Sequence, residues 1–218
     1  MNATTTTRTT SPLDRLIGHV DNVLRTCVGT AIPGARPNPG AATDGEPSGA
    51  AQRDLAARLM RVNHAGEVAA QALYHGQALT ARDPAVREAM HESAREEADH
   101  LAWCGERIDQ LGASVSRLTP VWYAGSFSIG ALAGVFGDRV SLGFIAETER
   151  QVIDHLDRHL ARLPDDDDKS RAILSQMRED EAHHAQAARD AGGVALPAPV
   201  QSAMGLVAKI MTRTAYWF

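Results

Sequence analysis

Apolar residues recur at helical spacing along most of this chain. Pro12 to Cys27 places Leu13, Leu16, Ile17, Val20, Val23, Leu24 and Cys27 on one side of a short amphipathic helix. Residues 29–51 break the pattern with Pro33, Pro37, Pro39, Pro47 and many Gly and Ala, which reads as a linker. Four long helical patterns follow, over 52–80, 84–111, 138–163 and 169–191. Pro84 suits a first helical turn, and Gly112 and Gly192 are placed to end helices. Short loops within each helix pair and one long link between pairs predict an all-α four-helix bundle with a crossover. Residues 1–51 are thus expected to be an appendage, with a disordered start over 1–11, and residues 52–218 the working domain.

Facing within each helix separates buried acids from exposed ones, at about 100° per residue. In the second pattern Val86, Met90, Ala94, Leu101, Cys104, Ile108 and Leu111 share a side with Glu97, and His100 lies on its edge. Glu88 and His91 have the same spacing but project from the opposite face, with Glu92 and Arg95, and are expected in solvent. In the third, Leu142, Ile145, Ile153, Leu156, Leu160 and Leu163 surround Glu149. Glu147 shares a face with Asp154 and Arg158 and is expected to be exposed. In the fourth, Leu174, Met177, Ala185 and Ala188 flank Glu181, with His184 one turn on. In the first, Met60, Ala70, Tyr74 and Ala78 lie beside Glu67, and Leu55, Leu59 and Leu73 form a second apolar face, as on a helix buried on more than one side.

The selected acids form two matching sets. Glu67 precedes Glu97-x-x-His100 by 30 residues, and Glu149 precedes Glu181-x-x-His184 by 32. A glutamate inside an apolar stripe is costly unless paired or metal-bound. Glu and His three apart lie on one helical face, about 5–6 Å between Cβ atoms, so both reach one ion. Two such pairs with two lone carboxylates are the ligand set of a carboxylate-bridged di-metal site in a bundle. Their oxygen and imidazole donors suit iron or manganese. Asp180 and Glu96, each preceding a ligand glutamate, are expected either to orient His100 and His184 across the bundle, because metal-bound imidazoles donate their other N–H, or to be plain surface acids. Tyr74 is a candidate for a hydrogen bond or electron transfer near the metals, or for plain packing, and His155 with His159 reads as a polar helix flank, with His155 also a candidate neighbour of the ligands. The run Asp165–Asp168 reads as a solvated loop that favours the next helix start.

Bulk properties narrow the function further. A net charge of −5 argues against nucleic acid as a partner and against membrane attachment by a polybasic patch. Two cysteines, Cys27 and Cys104, have no metal or redox spacing and read as reduced thiols in a cytosolic compartment. The Thr-rich start is not a secretory signal, and no apolar run reaches the about 18 residues of a transmembrane helix.

The run Arg61-Val62-Asn63-His64-Ala65-Gly66-Glu67, then Glu97-Ala98-Asp99-His100-Leu101, the link containing Pro120-Val121-Trp122-Tyr123, and Glu181-Ala182-His183-His184 resemble the demethoxyubiquinone hydroxylase family of ubiquinone biosynthesis. The resemblance covers about residues 52–218. It implies a ferritin-like fold and a di-iron monooxygenase that hydroxylates the ring of a polyprenyl methoxy-methyl-benzoquinol with dioxygen. By matching motifs it implies that Glu67, Glu97, His100, Glu149, Glu181 and His184 are the catalytic ligands of two iron ions. The family pattern is loose around the third helix, where facing selects Glu149 over Glu147.

The link over 113–137 is more apolar than a crossover needs, with Val121, Trp122, Tyr123, Phe127, Ile129, Leu132, Val135 and Phe136 among glycines. The C-terminus adds an amphipathic segment with Met204, Leu206, Val207, Ile210, Met211 and Tyr216-Trp217-Phe218 beside Lys209 and Arg213. Both suit a peripheral anchor on the cytoplasmic face of a bacterial cell membrane, with aromatics at headgroup depth, or else bundle packing or a homodimer seam. No dinucleotide fingerprint is present, so electrons are expected from a separate protein, from docking NADH, or from the quinol itself. Other ubiquinone-biosynthesis proteins are further candidate partners. The rival readings are a rubrerythrin-type oxidase or peroxidase, which would carry a Cys-rich iron module, and a non-enzymatic iron-binding bundle.

Overall fold

A computed structural model describes residues 36–218. The expected disordered start, the helix from Pro12 and Cys27 lie outside those residues. Six α-helices occur among the described residues: α1 (Ala50–Thr80), α2 (Pro84–Gln110), α3 (Thr119–Val135), α4 (Asp138–Leu160), α5 (Asp168–Asp190) and α6 (Ala198–Ala215). The four long sequence patterns correspond to α1, α2, α4 and α5. Local chemistry sets their limits. Asp83 caps α2 by accepting from the Ala85 N–H, with Pro84 in the first turn. Gly112 and Gly192, at φ 74° and 95°, follow α2 and α5 in the left-handed conformation that glycine adopts at least cost.

Contacts between helices define the topology. α1 and α2 form one antiparallel hairpin and α4 and α5 another. The apolar link is itself a helix, α3, and runs parallel to α1. Its backbone approaches closely because Gly76, Gly130 and Gly134 lie at the crossing. A Cβ on Gly130 would stand 2.3 Å from the Leu73 carbonyl oxygen, and one on Gly76 2.2 Å from that of Phe127. α3 thereby returns the chain to the end of the bundle where α4 starts, and α4 runs back antiparallel to α1. This is the crossover of a ferritin-like bundle.

Two apolar layers fill the interior. One contains Leu59, Met60, Trp103, Ile108, Leu156, Ile173, Leu174 and Met177. The other contains Tyr74, Ala78, Met90, Ala94, Leu142, Ile145 and Ala188. Along every long helix the candidate ligands fall between these layers. Packing on both sides therefore holds their backbones in place.

Two expectations change. The described part of the linker, from Arg36 to Gly49, lies against the bundle as a strap with a 3-10 turn over Pro39–Ala42. Asn38 donates to Glu106 at 2.7 Å, and Glu46 pairs with Arg107 and Lys169, each at 2.8 Å. The acidic run is only partly solvated. Asp167 is fully buried, caps α5 through the Ser170 N–H, and pairs with the buried Arg107 at 2.8 Å. A buried guanidinium needs its hydrogen bonds met, and Arg107 finds acceptors in Glu46, Asp167, Ser170 and Gln110.

Candidate metal centre

Glu67 of α1, Glu97 and His100 of α2, and Glu181 of α5 meet in the polar layer, with ligand atoms all within 4.8 Å of one another. All four are buried. His100 Nδ1 lies 3.2 Å from Glu97, 3.3 Å from Glu181 and 3.4 Å from Glu67. His184 joins from the other side, with Nδ1 3.0 Å from Glu181 and 3.5 Å from Glu97. Both imidazoles therefore turn the same nitrogen toward the carboxylates. Glu149 of α4 is buried within electrostatic reach of Glu97 and Glu181, and Tyr74 donates to its Oε1 at 2.6 Å. Glu149 is outside the tight group of four, so the six candidates form a core of five with Glu149 facing it.

The other imidazole nitrogens complete the arrangement. His100 Nε2 lies 2.9 Å from Asp180, and His184 Nε2 lies 2.5 Å from Glu96. Each carboxylate reaches the histidine of the opposite pair, as the facing argument expects. An N–H donated outward at Nε2 leaves the Nδ1 lone pair inward.

The donor set fits a metal ion. Buried Glu149 Oε2 has no hydrogen-bond partner, and Glu67 Oε2 and Glu97 Oε1 have only the long approaches of His100 Nδ1 at 3.4 Å and His184 Nδ1 at 3.5 Å, which is costly for carboxylates unless a cation meets them. The protonation energetics agree. Burial, and then the Glu97 charge, pushes the Glu67 carboxyl well above its ordinary range despite the His100 hydrogen bond. Burial with the charges of Glu181 and Glu97 does the same to Glu149. Burial disfavours charge on Glu97 also, but hydrogen bonds from His100 and His184 prevail and hold it low. Burial opposes charge on the imidazoles, yet bonds to Asp180, Glu181, Glu67 and Glu97 raise His100 well above normal, and those to Glu181 and Glu97 raise His184 to about 12. Without a cation the cluster must hold protons in its place.

Glu88 is exposed and pairs with Arg95, away from the cluster. Glu147 is not exposed as facing alone suggests. It is 8% accessible and bonded to Arg150 and Gln151, and Gln151 donates to the Gln201 carbonyl at the start of α6. The C-terminal helix covers that flank of α4, which periodicity within α4 cannot register. His159 is buried and hydrogen-bonded to Asn63 at 3.0 Å, with the His155 ring tilted against it, centroids 3.9 Å apart.

One side of the centre opens. A cavity of about 1060 Å³ between α1, α4 and α6 reaches Glu67, Glu149 and Glu181 at its floor. Its walls include Leu73, Ile129, Phe144, Val152, Met204 and Met211, and Arg158, Arg162, Lys209 and Arg213 also line it. The C-terminal segment, expected to anchor on a membrane, pack on the bundle or form a dimer seam, also walls this cavity as α6. The spacing of Met204, Ala208 and Met211 carried that signal, a second face opposite Leu206 and Ile210.

Comparison with known proteins adds an independent line. The family model for ubiquinone biosynthesis protein COQ7 matches residues 54–215. The chain is 55% identical over 210 residues to the 3-demethoxyubiquinol 3-hydroxylase of Nitrosococcus oceani, covering 96% of this chain and 98% of the relative. It is 57% identical over 206 residues to that of Cupriavidus necator, with coverage of 94% and 99%. The same named enzyme of Pseudomonas fluorescens is 53% identical over 212 residues, with coverage of 97% and 99%. On this match across most of its length, the chain belongs to the ubiquinone biosynthesis protein COQ7 family.

Proposed function

We propose that this protein is a 3-demethoxyubiquinol 3-hydroxylase. It uses dioxygen to hydroxylate the ring of a polyprenyl methoxy-methyl-benzoquinol in ubiquinone biosynthesis. Two iron ions are held by Glu67, Glu97, His100, Glu149, Glu181 and His184. The observation that carries this reading is the apolar cavity whose floor is the carboxylate cluster. A storage or simple metal-binding bundle has no use for such an opening, and a quinol hydroxylase needs one.

The bound irons supply the activation of dioxygen, which side chains alone lack. The protein supplies position and environment. Asp180 and Glu96 hold the His100 and His184 rings so that each Nδ1 faces the centre. Tyr74 fixes Glu149 Oε1 and leaves Oε2 for the metals. The cavity lies at the top of the range of about 300–1,000 Å³ usual for ligand sites, so a substituted ring and part of an isoprenoid tail fit together. Its mostly apolar walls suit the ring and tail of a quinol.

The same cavity supports access from a lipid surface. No helix among the described residues is long and apolar enough to cross a membrane. α3 and α6 nevertheless expose Val121, Leu132, Val135, Phe136, Leu206 and Ile210, followed by Trp217 and Phe218. Apolar side chains near Lys209 and Arg213 suit an interface with anionic headgroups. In this reading the protein docks peripherally on the cytoplasmic face of the cell membrane, and the tail passes from lipid along α6 to the metals.

Iron-loaded protein supplied with a reductant, demethoxyquinol in liposomes and isotopically labelled dioxygen tests the function. The expected product carries one labelled oxygen on the ring. Label in water alone, or an unchanged quinol, would overturn the assignment.

A further inference from the structure

The strap before α1 reaches the metal centre through one residue, Arg36. Its Nη1 lies 2.9 Å from Asp180 Oδ2, the oxygen that takes the His100 Nε2 hydrogen. Its Nε lies 3.1 Å from Asp99 Oδ2, and its backbone N–H points to the other oxygen of Asp99 at 3.4 Å. The guanidinium also stands 4.9 Å above the Trp103 ring, whose indole N–H donates to the Arg36 carbonyl. Arg36 Nη2 is 3.2 Å from His100 Nε2. In the tautomer with Nδ1 facing a metal, Nε2 carries hydrogen, so that contact is a neighbour and not a hydrogen bond.

We infer that Arg36 is a positioning residue for the metal centre, the outer member of a chain Arg36–Asp180–His100 that sets the direction of His100 Nδ1. The inference rests on the metal reading above and extends it to the strap before α1. A carboxylate hydrogen-bonded only to a histidine can swing about its own side chain. Asp180 here is clamped from three directions, by His100, by Arg36, and by Gln176 at 3.1 Å. A planar fork spanning two carboxylates is geometry that arginine makes and lysine does not, since the ammonium is a single point of charge. The strap is anchored elsewhere, by Asn38 on Glu106 and Glu46 on Arg107. Arg36 can therefore be removed without freeing the strap, and the strap can be loosened without removing Arg36.

Cobalt(II), which matches iron(II) in charge and absorbs visibly at protein sites, is the probe. The full-length protein is titrated with cobalt as wild type, Arg36→Ala, Arg36→Lys and Asn38→Ala. Changes to partners of metal-bound histidines cost about 10–100-fold in metal affinity. Arg36→Ala is expected to weaken cobalt binding by about tenfold and to shift the visible bands, with the helix content unchanged although the unpaired Asp99 lowers the melting temperature. Arg36→Lys recovers part of both, and Asn38→Ala changes neither. Wild-type affinity and spectrum in Arg36→Ala would overturn the role of Arg36 alone. An equal loss in Asn38→Ala would overturn it also, assigning the effect to docking of the strap. A wild-type protein that binds no cobalt would remove the metal reading itself and this inference with it.

Discussion

At the scale of single residues, the centre is a set of costly groups that justify one another. Glu67, Glu97, Glu149 and Glu181 are buried between apolar layers, where an unpaired carboxylate is unfavourable by several kcal/mol. Protons on the imidazoles and on the high carboxyls offset that cost when no cation is bound. The consequence for pH has a definite sign. His100 and His184 are raised by their carboxylate partners, so both are protonated in the metal-free protein at neutral pH, and a metal at Nδ1 must displace those protons. Affinity for iron(II) or cobalt(II) is therefore expected to fall as pH is lowered from about 8 to about 6, with protons released into weakly buffered solution on loading. Affinity independent of pH and no proton release would show that the imidazoles are not ligands.

At the scale of elements, α3 and α6 do what the four bundle helices cannot. α3 uses Gly130 and Gly134 to press onto α1, buries Tyr123 and leaves Val121, Leu132 and Val135 outward, with Phe136 just beyond its end 69% exposed. α6 turns Met204 and Met211 toward the cavity and leaves Leu206 and Ile210 outward, at 61% and 52% exposure. Each large apolar side chain moved from water into lipid contributes about 1.5–3 kcal/mol. The double variant Leu206→Glu/Ile210→Glu is therefore expected to lose at least about tenfold in liposome binding while its helix content stays the same. Flotation with anionic vesicles measures this. Wild-type protein that fails to float, or a variant that floats equally well, would show that these faces meet a protein and not lipid.

The whole molecule shows which parts of this arrangement a sequence can express. Helix periodicity made Glu97, Glu149 and Glu181 stand out, because a carboxylate within a stripe such as Leu174, Met177, Ala185 and Ala188 is conspicuous on its own helix. Asp180 and Glu96 were legible too, since a ligand histidine requires an acceptor on the facing helix. Long-range partners were not. The covering of Glu147 depends on α6, through a Gln151–Gln201 bond that spans 50 residues. The docking of the strap depends on Glu46 finding Arg107, and the burial of Asp167 on the same arginine. Gly and Pro in the segment 36–49 looked like a linker because its order comes from ion pairs and not from apolar spacing.

These scales converge on one requirement, that the six residues hold two metal ions together. Counting iron in protein loaded anaerobically and freed of excess metal tests it most directly, with Glu97→Gln as the comparison because Glu97 contacts both histidines. About two irons per chain are expected in the wild type, as in other di-metal carboxylate bundles, with loss of both in the variant. One iron or none in the wild type, or two retained without Glu97, would contradict it.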